Sequence, residues 1–137
     1  QRTNYGYSGA FNLYQESFTE ESRLDTFYFH EENLNNERER FCQWVKTERP
    51  DVIIAFEEYV AGWLREDLGL TVGEDIELVL HDWVAGTSGE LPGLDHRRDL
   101  VCASAVQLLV MMLVSNDFGI PESPLRMLVT PKVRGFD

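Results

Sequence analysis

The sequence predicts an α/β protein built on a parallel sheet, and three observations carry that prediction. Residues 52–56 (Val-Ile-Ile-Ala-Phe) form an unbroken apolar run rich in β-branched side chains, the pattern of a strand covered on both faces. Tyr59, Val60, Trp63, Leu64 and Leu68 then recur at the spacing of one helix face, and Gly69 supplies a stop that a left-handed residue adopts without strain. Ile76, Leu78, Val79 and Leu80 make a second short apolar run. Strand, helix and strand within roughly thirty residues form a βαβ unit, with parallel strands and a right-handed crossover. Ligands of such folds sit outside the carboxyl ends of the strands. Phe56-Glu57-Glu58 and His81-Asp82-Trp83 are therefore expected side by side on one rim.

The elements around this unit follow from the same reasoning. Residues 1–9 are polar, with Gly6 and Gly9 and no initiating Met, and residues 10–18 carry Phe11, Leu13, Tyr14 and Phe18 as a helix would. Residues 26–30 (Thr-Phe-Tyr-Phe-His) are aromatic and β-prone and are expected to form a strand. Asn36 with Glu39 fits a capping box, Phe41, Trp44 and Val45 give the following helix its buried face, and Pro50 ends it. Residues 84–93 read as a loop and residues 95–115 as the longest helix. That helix is apolar nearly all round after Leu100, so it must be covered on most sides. Residues 116–124 are a turn-rich connector, and residues 126–133 a last strand whose Pro131 puts at least its end on an edge.

Totals narrow the function. A chain of 137 residues suits one small domain, and 43% hydrophobic with 12% aromatic content argues against disorder. Twelve basic residues against 24 acidic ones leave a net charge of -12, which repels a phosphate backbone. Arg38, Arg40, Arg97 and Arg98 are scattered among acids, so this chain alone is not expected to bind nucleic acid. Cys42 and Cys102 both fall in predicted helices and read as free, buried thiols. No signal peptide is visible, and the run 101–114 is shorter than the roughly 20 residues of a membrane span. A cytoplasmic protein without membrane contact is expected.

An alternating α/β protein should open on a strand, yet residues 1–5 offer nothing apolar enough; the chain begins as if in the middle of a fold. Several signatures, in order, resemble the C-terminal part of the effector-binding core of LacI/GalR transcription regulators. Tyr7-Ser8-Gly9-Ala10-Phe11 resembles the family's Arg-x-x-Gly-Phe helix start. Residues 50–56 followed by Glu57-Glu58 resemble its Pro-x-Ala-hydrophobic-x-Ala and Asn-Asp pair. Leu68-Gly69, then Leu80-His81-Asp82-Trp83, echo its Leu-Gly and Gly-Phe-Asp-Asp. Ala105-Val106-Gln107-Leu108-Leu109 and Val133-Arg134-Gly135 match its Ala-Val-x-Leu-Leu and Val-Arg-Gly segments.

The resemblance implies a periplasmic-binding-protein-like (type I) subdomain, incomplete at its N-terminus. Residues 1–137 would then be the C-terminal part of an effector-binding and dimerisation domain, with no DNA-binding domain in this chain. It implies a non-catalytic, homodimeric fragment of a regulator that senses a sugar or similar polar metabolite and reaches DNA only through a missing N-terminal helix-turn-helix. It also places the 95–115 helix against another subdomain. For the ligand it implies Asp82 as the retained carboxylate, Tyr7 at the family's Arg position, Glu57 and Glu58 at the Asn-Asp pair, and Asp95 where many members have Gln. Trp83 and Trp63 could stack on a sugar face or fill a subunit contact, and Trp63 and the loop from Val84 are read as interface or core. The implied rim is acidic with no resident cation.

Other readings stay open. Acids are favoured at any helix start by its dipole, and Asp82 could simply stabilise a turn. A ligand-free dimerisation scaffold and a periplasmic solute-binding protein are the alternatives. Catalysis by Glu57 or Glu58 with Asp82 lacks a supporting partner residue. A metal held by His81, Asp82 and Glu58 is awkward, because adjacent strand residues point to opposite faces. No phosphate loop, nucleophile elbow or Cys-x-x-Cys occurs. The chain is expected to be neither an enzyme nor a cofactor or metal binder.

Overall fold

The two aliphatic runs at the centre of the chain become neighbouring strands of a four-stranded sheet. The computed structural model describes residues 4–29, 34–86, 88–117, 119, 123 and 126–136, with side chains from Ser8 onward. In chain order the elements are α1 (Asn4–Gln15), α2 (Leu34–Glu48), β1 (Val52–Ala55), α3 (Val60–Leu68), β2 (Glu77–Leu80), β3 (Gly93–Asp95), α4 (Arg98–Val114) and β4 (Lys132–Arg134), with a 3-10 turn at Glu20–Ser22. They fall into two compact units. Gln1–Val52 with Ala61–Glu77 is the first, and Ile53–Val60 with Leu78–Asp137 is the second.

The sheet has the order β1-β2-β3-β4. Glu77 N donates to Asp51 O at 2.9 Å and His81 N to Ala55 O at 2.8 Å, so both strands advance in the same direction. β2 and β3 are also parallel, with Leu80 opposite Gly93. β4 returns antiparallel, pairing Gly93 with Arg134, Leu94 with Val133 and Asp95 with Lys132. The sheet is thus mostly parallel, and the α/β class expected from the sequence holds.

In the first unit an aromatic cluster forms the core. Phe41 stands edge-on to Phe27 with ring centroids 5.5 Å apart, and Trp63 stacks on Phe29 at 6.2 Å. Phe41 and Trp63 meet at 5.7 Å, and Leu64 is wholly buried. Trp63 therefore belongs to the core. These contacts explain why no strand forms at residues 26–29, the described part of the expected one. Their rings are spent on the helices, and Trp44 Nε1 donates to Asp25 O at 2.7 Å, so the backbone lies across α2 instead of in a ladder. Arg38 holds both Asp67 and Glu66 and ties α2 to α3. That contact keeps the Asp67 carboxyl below its usual range, while burial pushes the Cys42 thiol up.

Several boundaries differ from expectation. α1 starts before Gly6 and Gly9 and ends at Gln15, leaving Phe18 in a turn. α2 already runs through Leu34, which puts the Asn36–Glu39 pair inside the helix, and Arg49 leaves it at φ 48° ahead of Pro50. Gly69 does stop α3, at φ 67°. Strand geometry at the end is confined to Lys132–Arg134, just past Pro131, on the sheet's edge.

Two expectations of burial are corrected. Ile53 is buried, but Ile54 is 66% exposed and Val52 lies open beside it, so β1 is covered on one face only. α4 has no buried residue, and Cys102 on it is exposed while Cys42 is buried. In the second unit the core is Ile53, Val60, Leu78 and Leu80.

β3 is the element the sequence did not announce, and Gly93 is what permits it. A Cβ at that position would lie 2.6 Å from the Leu80 carbonyl oxygen and 3.1 Å from Trp83 Cβ. Gly93→Ala is expected to cost about 1–3 kcal/mol in urea unfolding, the range for overpacking. Gly9→Ala has open space and a helical backbone, so it should stabilise by ~0.5–1 kcal/mol instead. Equal effects at the two glycines would contradict this account of the β2–β3 contact.

Candidate functional site

Because β1 and β2 end together, the residues that follow them form one rim in the second unit. The Phe56 and His81 rings lie 4.6 Å apart between centroids, and the His81 and His96 rings 5.3 Å apart. His96 Nε2 donates to the His81 carbonyl at 2.9 Å, since a carbonyl can only accept. Burial lowers the affinity of His81 for a proton, the neighbouring His96 lowers it further, and Asp82 opposes both.

The rim is not the cation-free acidic surface read from the sequence. Arg98, the first residue of α4, donates to Asp82 Oδ2. Arg134 on β4 donates to Asp95 Oδ2 through Nε at 3.1 Å and through its terminal nitrogen at 2.7 Å. Asp95 Oδ1 accepts from the Arg97 amide at 2.8 Å. The Arg134 guanidinium, and secondarily that amide, hold the Asp95 carboxyl below the usual carboxylate range. Arg134 also lies 5.3 Å over the Trp83 ring, a cation–π contact, while Trp83 Nε1 donates to Leu91 O at 3.1 Å. The ring face expected for a sugar is thus shared with a guanidinium.

What remains for a ligand is specific. Asp82 Oδ1 is buried and has no hydrogen-bond partner among the described residues. Glu57 is exposed and Glu58 half-buried, and neither has an ion-pair partner among the described residues. They stand in the turn immediately before α3, whose own first turn holds no acid. Glu57, Glu58, Asp82, Trp83 and Asp95 all belong to the second unit. Tyr7 lies in α1 of the first, and its side chain is outside the described residues. The chemistry on offer is hydrogen-bond acceptance by carboxylates next to two guanidinium groups. Among the described residues no three His, Cys, Asp or Glu side chains gather as a metal site.

A concavity of about 850 Å³ lies in the first unit along α1, residues 23–28 and α2. Several of its polar groups satisfy one another. Gln15 exchanges hydrogen bonds with the Leu24 backbone, Thr26 donates to Asn12, and Asn12 to Tyr28. The rim is the better candidate because it holds a buried carboxylate oxygen without a partner among the described residues.

Arg98 and Arg134 were missed from sequence because their partners stand 16 and 39 residues away. The Val133-Arg134-Gly135 signature was the only available signal. The chain matches no known family model, no curated protein and no solved structure. No helix among the described residues is long and apolar enough to cross a membrane.

The rim predicts two acid-sensitive windows. The unfolded chain protonates His81 near its ordinary value of about 6.5, before the folded protein does, so stability should fall as pH drops from 7 to 5. His81→Gln should flatten that part of a thermal-midpoint profile; an unchanged slope would contradict it. Asp95 follows the same ordering at lower pH, its carboxyl also being protonated first in the unfolded chain. Its stabilisation is present above the unfolded value of about 3.9 and is lost as pH falls further through the depressed folded value, and Asp95→Asn should abolish this second loss.

Proposed function

We propose that the chain is the effector-binding portion of a LacI-type regulator of periplasmic-binding-protein-like (type I) architecture, with the strand-end rim as its half of the ligand site. The observation that carries the reading is Asp82. The one residue that the family resemblance retains unchanged stands at the end of β2 with a buried carboxylate oxygen lacking a partner among the described residues. A carboxylate in that place suits the vicinal hydroxyls of a sugar or similar metabolite, each able to donate to it. Glu57 and Glu58 add acceptors, and Trp83 adds an apolar edge. Ligand closure on this rim would shift the orientation of attached DNA-reading domains outside this chain. The protein would act in the cytoplasm, as a homodimer and without catalysis.

Arg98 sets a condition on this function. Its guanidinium occupies Asp82 Oδ2, so a polyol must share or displace it. An exposed pair of this kind is worth ~0–1 kcal/mol, a small barrier. The same pairing supports the second reading, a ligand-free dimerisation scaffold in which Asp82 and Asp95 serve only to pin α4 and β4.

Thermal unfolding against a panel of pentoses, hexoses and nucleosides separates the two. A ligand at ten times its Kd should add about 1.4 kcal/mol of stability. Asp82→Asn should abolish the effect, and Arg98→Ala should tighten binding about two- to five-fold by removing the competitor. No stabilisation by any member of the panel, in either wild type or Arg98→Ala, would favour the scaffold.

A further inference from the structure

We infer that residues 96–98 form a clasp that couples occupancy of the rim to the order of α4, with the Asp82–Arg98 pair as its catch. The clasp stands on its own contacts; its use as a signal rests on the effector reading.

α4 is held to its unit chiefly at its start. None of its 17 residues is buried, and Ser104, Leu108 and Met112, four apart along one side, are its half-buried ones among the described residues. Few buried apolar contacts oppose its opening, which is the condition for local unfolding at low cost. The N-terminal end, by contrast, is densely bonded. His96 and Arg97 join it to β3. His96 Nε2 donates to the His81 carbonyl at 2.9 Å, the Arg97 amide to Asp95 Oδ1 at 2.8 Å, and Arg98 to Asp82 Oδ2. Consecutive residues thus tie the start of α4 to the ends of β2 and β3.

The joint between them is strained. Arg97 stands at φ 51° and ψ 49°, in the left-handed region where any Cβ crowds the following carbonyl. It occupies the cap position of α4 and its side chain makes no capping hydrogen bond, so the residue has no local reason to be there. A backbone of that kind persists where its surroundings hold it. Here they are the His96 bond on one side and the Arg98 bond on the other.

The Arg98 bond ends on the carboxylate that the effector reading gives to the ligand. Arg98 draws on Asp82 Oδ2, while Oδ1 is buried and has no hydrogen-bond partner among the described residues. A hydroxyl donating to Oδ1 shares the same delocalised charge and weakens the hold on Arg98. The Arg98 side chain is 66% exposed, so water screens the pair and it opens readily. Once it opens, Arg97 can leave the left-handed region and the first turn of α4 is freed. β2 keeps its own ladder throughout, through the Leu80 and His81 amides. A signal from the rim therefore leaves along α4, with the sheet unchanged.

Residue-resolved amide hydrogen exchange on the 137-residue chain tests this. Val101, whose amide donates to the Arg97 carbonyl at 3.0 Å, reports the first turn together with Cys102, and Leu80 and His81 report β2. Arg98→Gln removes the catch at matched helix propensity. It should speed exchange at Val101 and Cys102 about two- to five-fold, the range of an exposed pair, and leave β2 as it was. A cation at a helix N-terminus opposes the dipole, so an arginine acting only within α4 would give slower exchange on removal. Arg97→Gly, free of the Cβ clash, should slow the same amides about two-fold. Ribose, glucose and adenosine are the probes. Whichever binds should reproduce the Arg98→Gln acceleration in wild type and add nothing in Arg98→Gln. A set without a binder would sink the effector reading and the coupling with it. A binder that leaves Val101 and Cys102 unmoved, or an Arg98→Gln variant that exchanges no faster there, would overturn the inference alone.

Discussion

The second unit depends on one strand. β2 is hydrogen-bonded on both sides, to β1 through the His81 amide and to β3 through the Leu80 and Trp83 amides. Leu78 and Leu80 on it are completely or almost completely buried. With both ladder edges satisfied and one face sealed, β2 cannot slip by a residue without turning Leu78 and Leu80 outward. That fixes where His81, Asp82 and Trp83 emerge. Gly93 belongs to the same constraint, because only a residue without a Cβ lets β3 close on Leu80.

The electrostatics of the rim follow from that register. β4 pairs Lys132 with Asp95 and so carries Arg134 along the edge to reach the Asp95 carboxylate and the Trp83 ring. α4 begins three residues after β3 and delivers Arg98 to Asp82. Two of the four acids are thereby neutralised, Asp82 by Arg98 and Asp95 by Arg134, leaving Glu57 and Glu58 as the unpaired ones among those described. A surface that looks purely anionic in composition is a mixed one in space, suited to a polar ligand with donors and acceptors rather than to a simple cation.

The parts legible in the sequence were those with local causes. The β1 run, the helical spacing after it, the φ > 0 stop at Gly69 and the β2 run all survive, because each is decided by neighbours in the chain. β3 was not legible: three residues, Gly-Leu-Asp, have no period, and their strand geometry comes from β2 and β4 on either side. Residues 26–29 failed the other way. Their β propensity was real but yielded to aromatic packing on α2 and α3, a tertiary choice that propensity does not encode. The rim acids were located by position at strand ends, whereas their arginine partners came from distant sequence. The apolar character of α4 was legible, while the cover it calls for is not supplied by the described residues.

The central claim is that the rim of the second unit receives a hydroxyl-rich ligand at Asp82. Amide chemical-shift mapping during titration with the sugar panel tests it most directly. The account predicts saturable shifts at the amides of Glu57, Glu58, His81, Asp82 and Asp95 and at the Trp83 indole N–H, with α2 unmoved. Shifts gathered instead along Asn12, Gln15, Asp25 and Trp44 of the first unit's concavity, or none in either place, would contradict it.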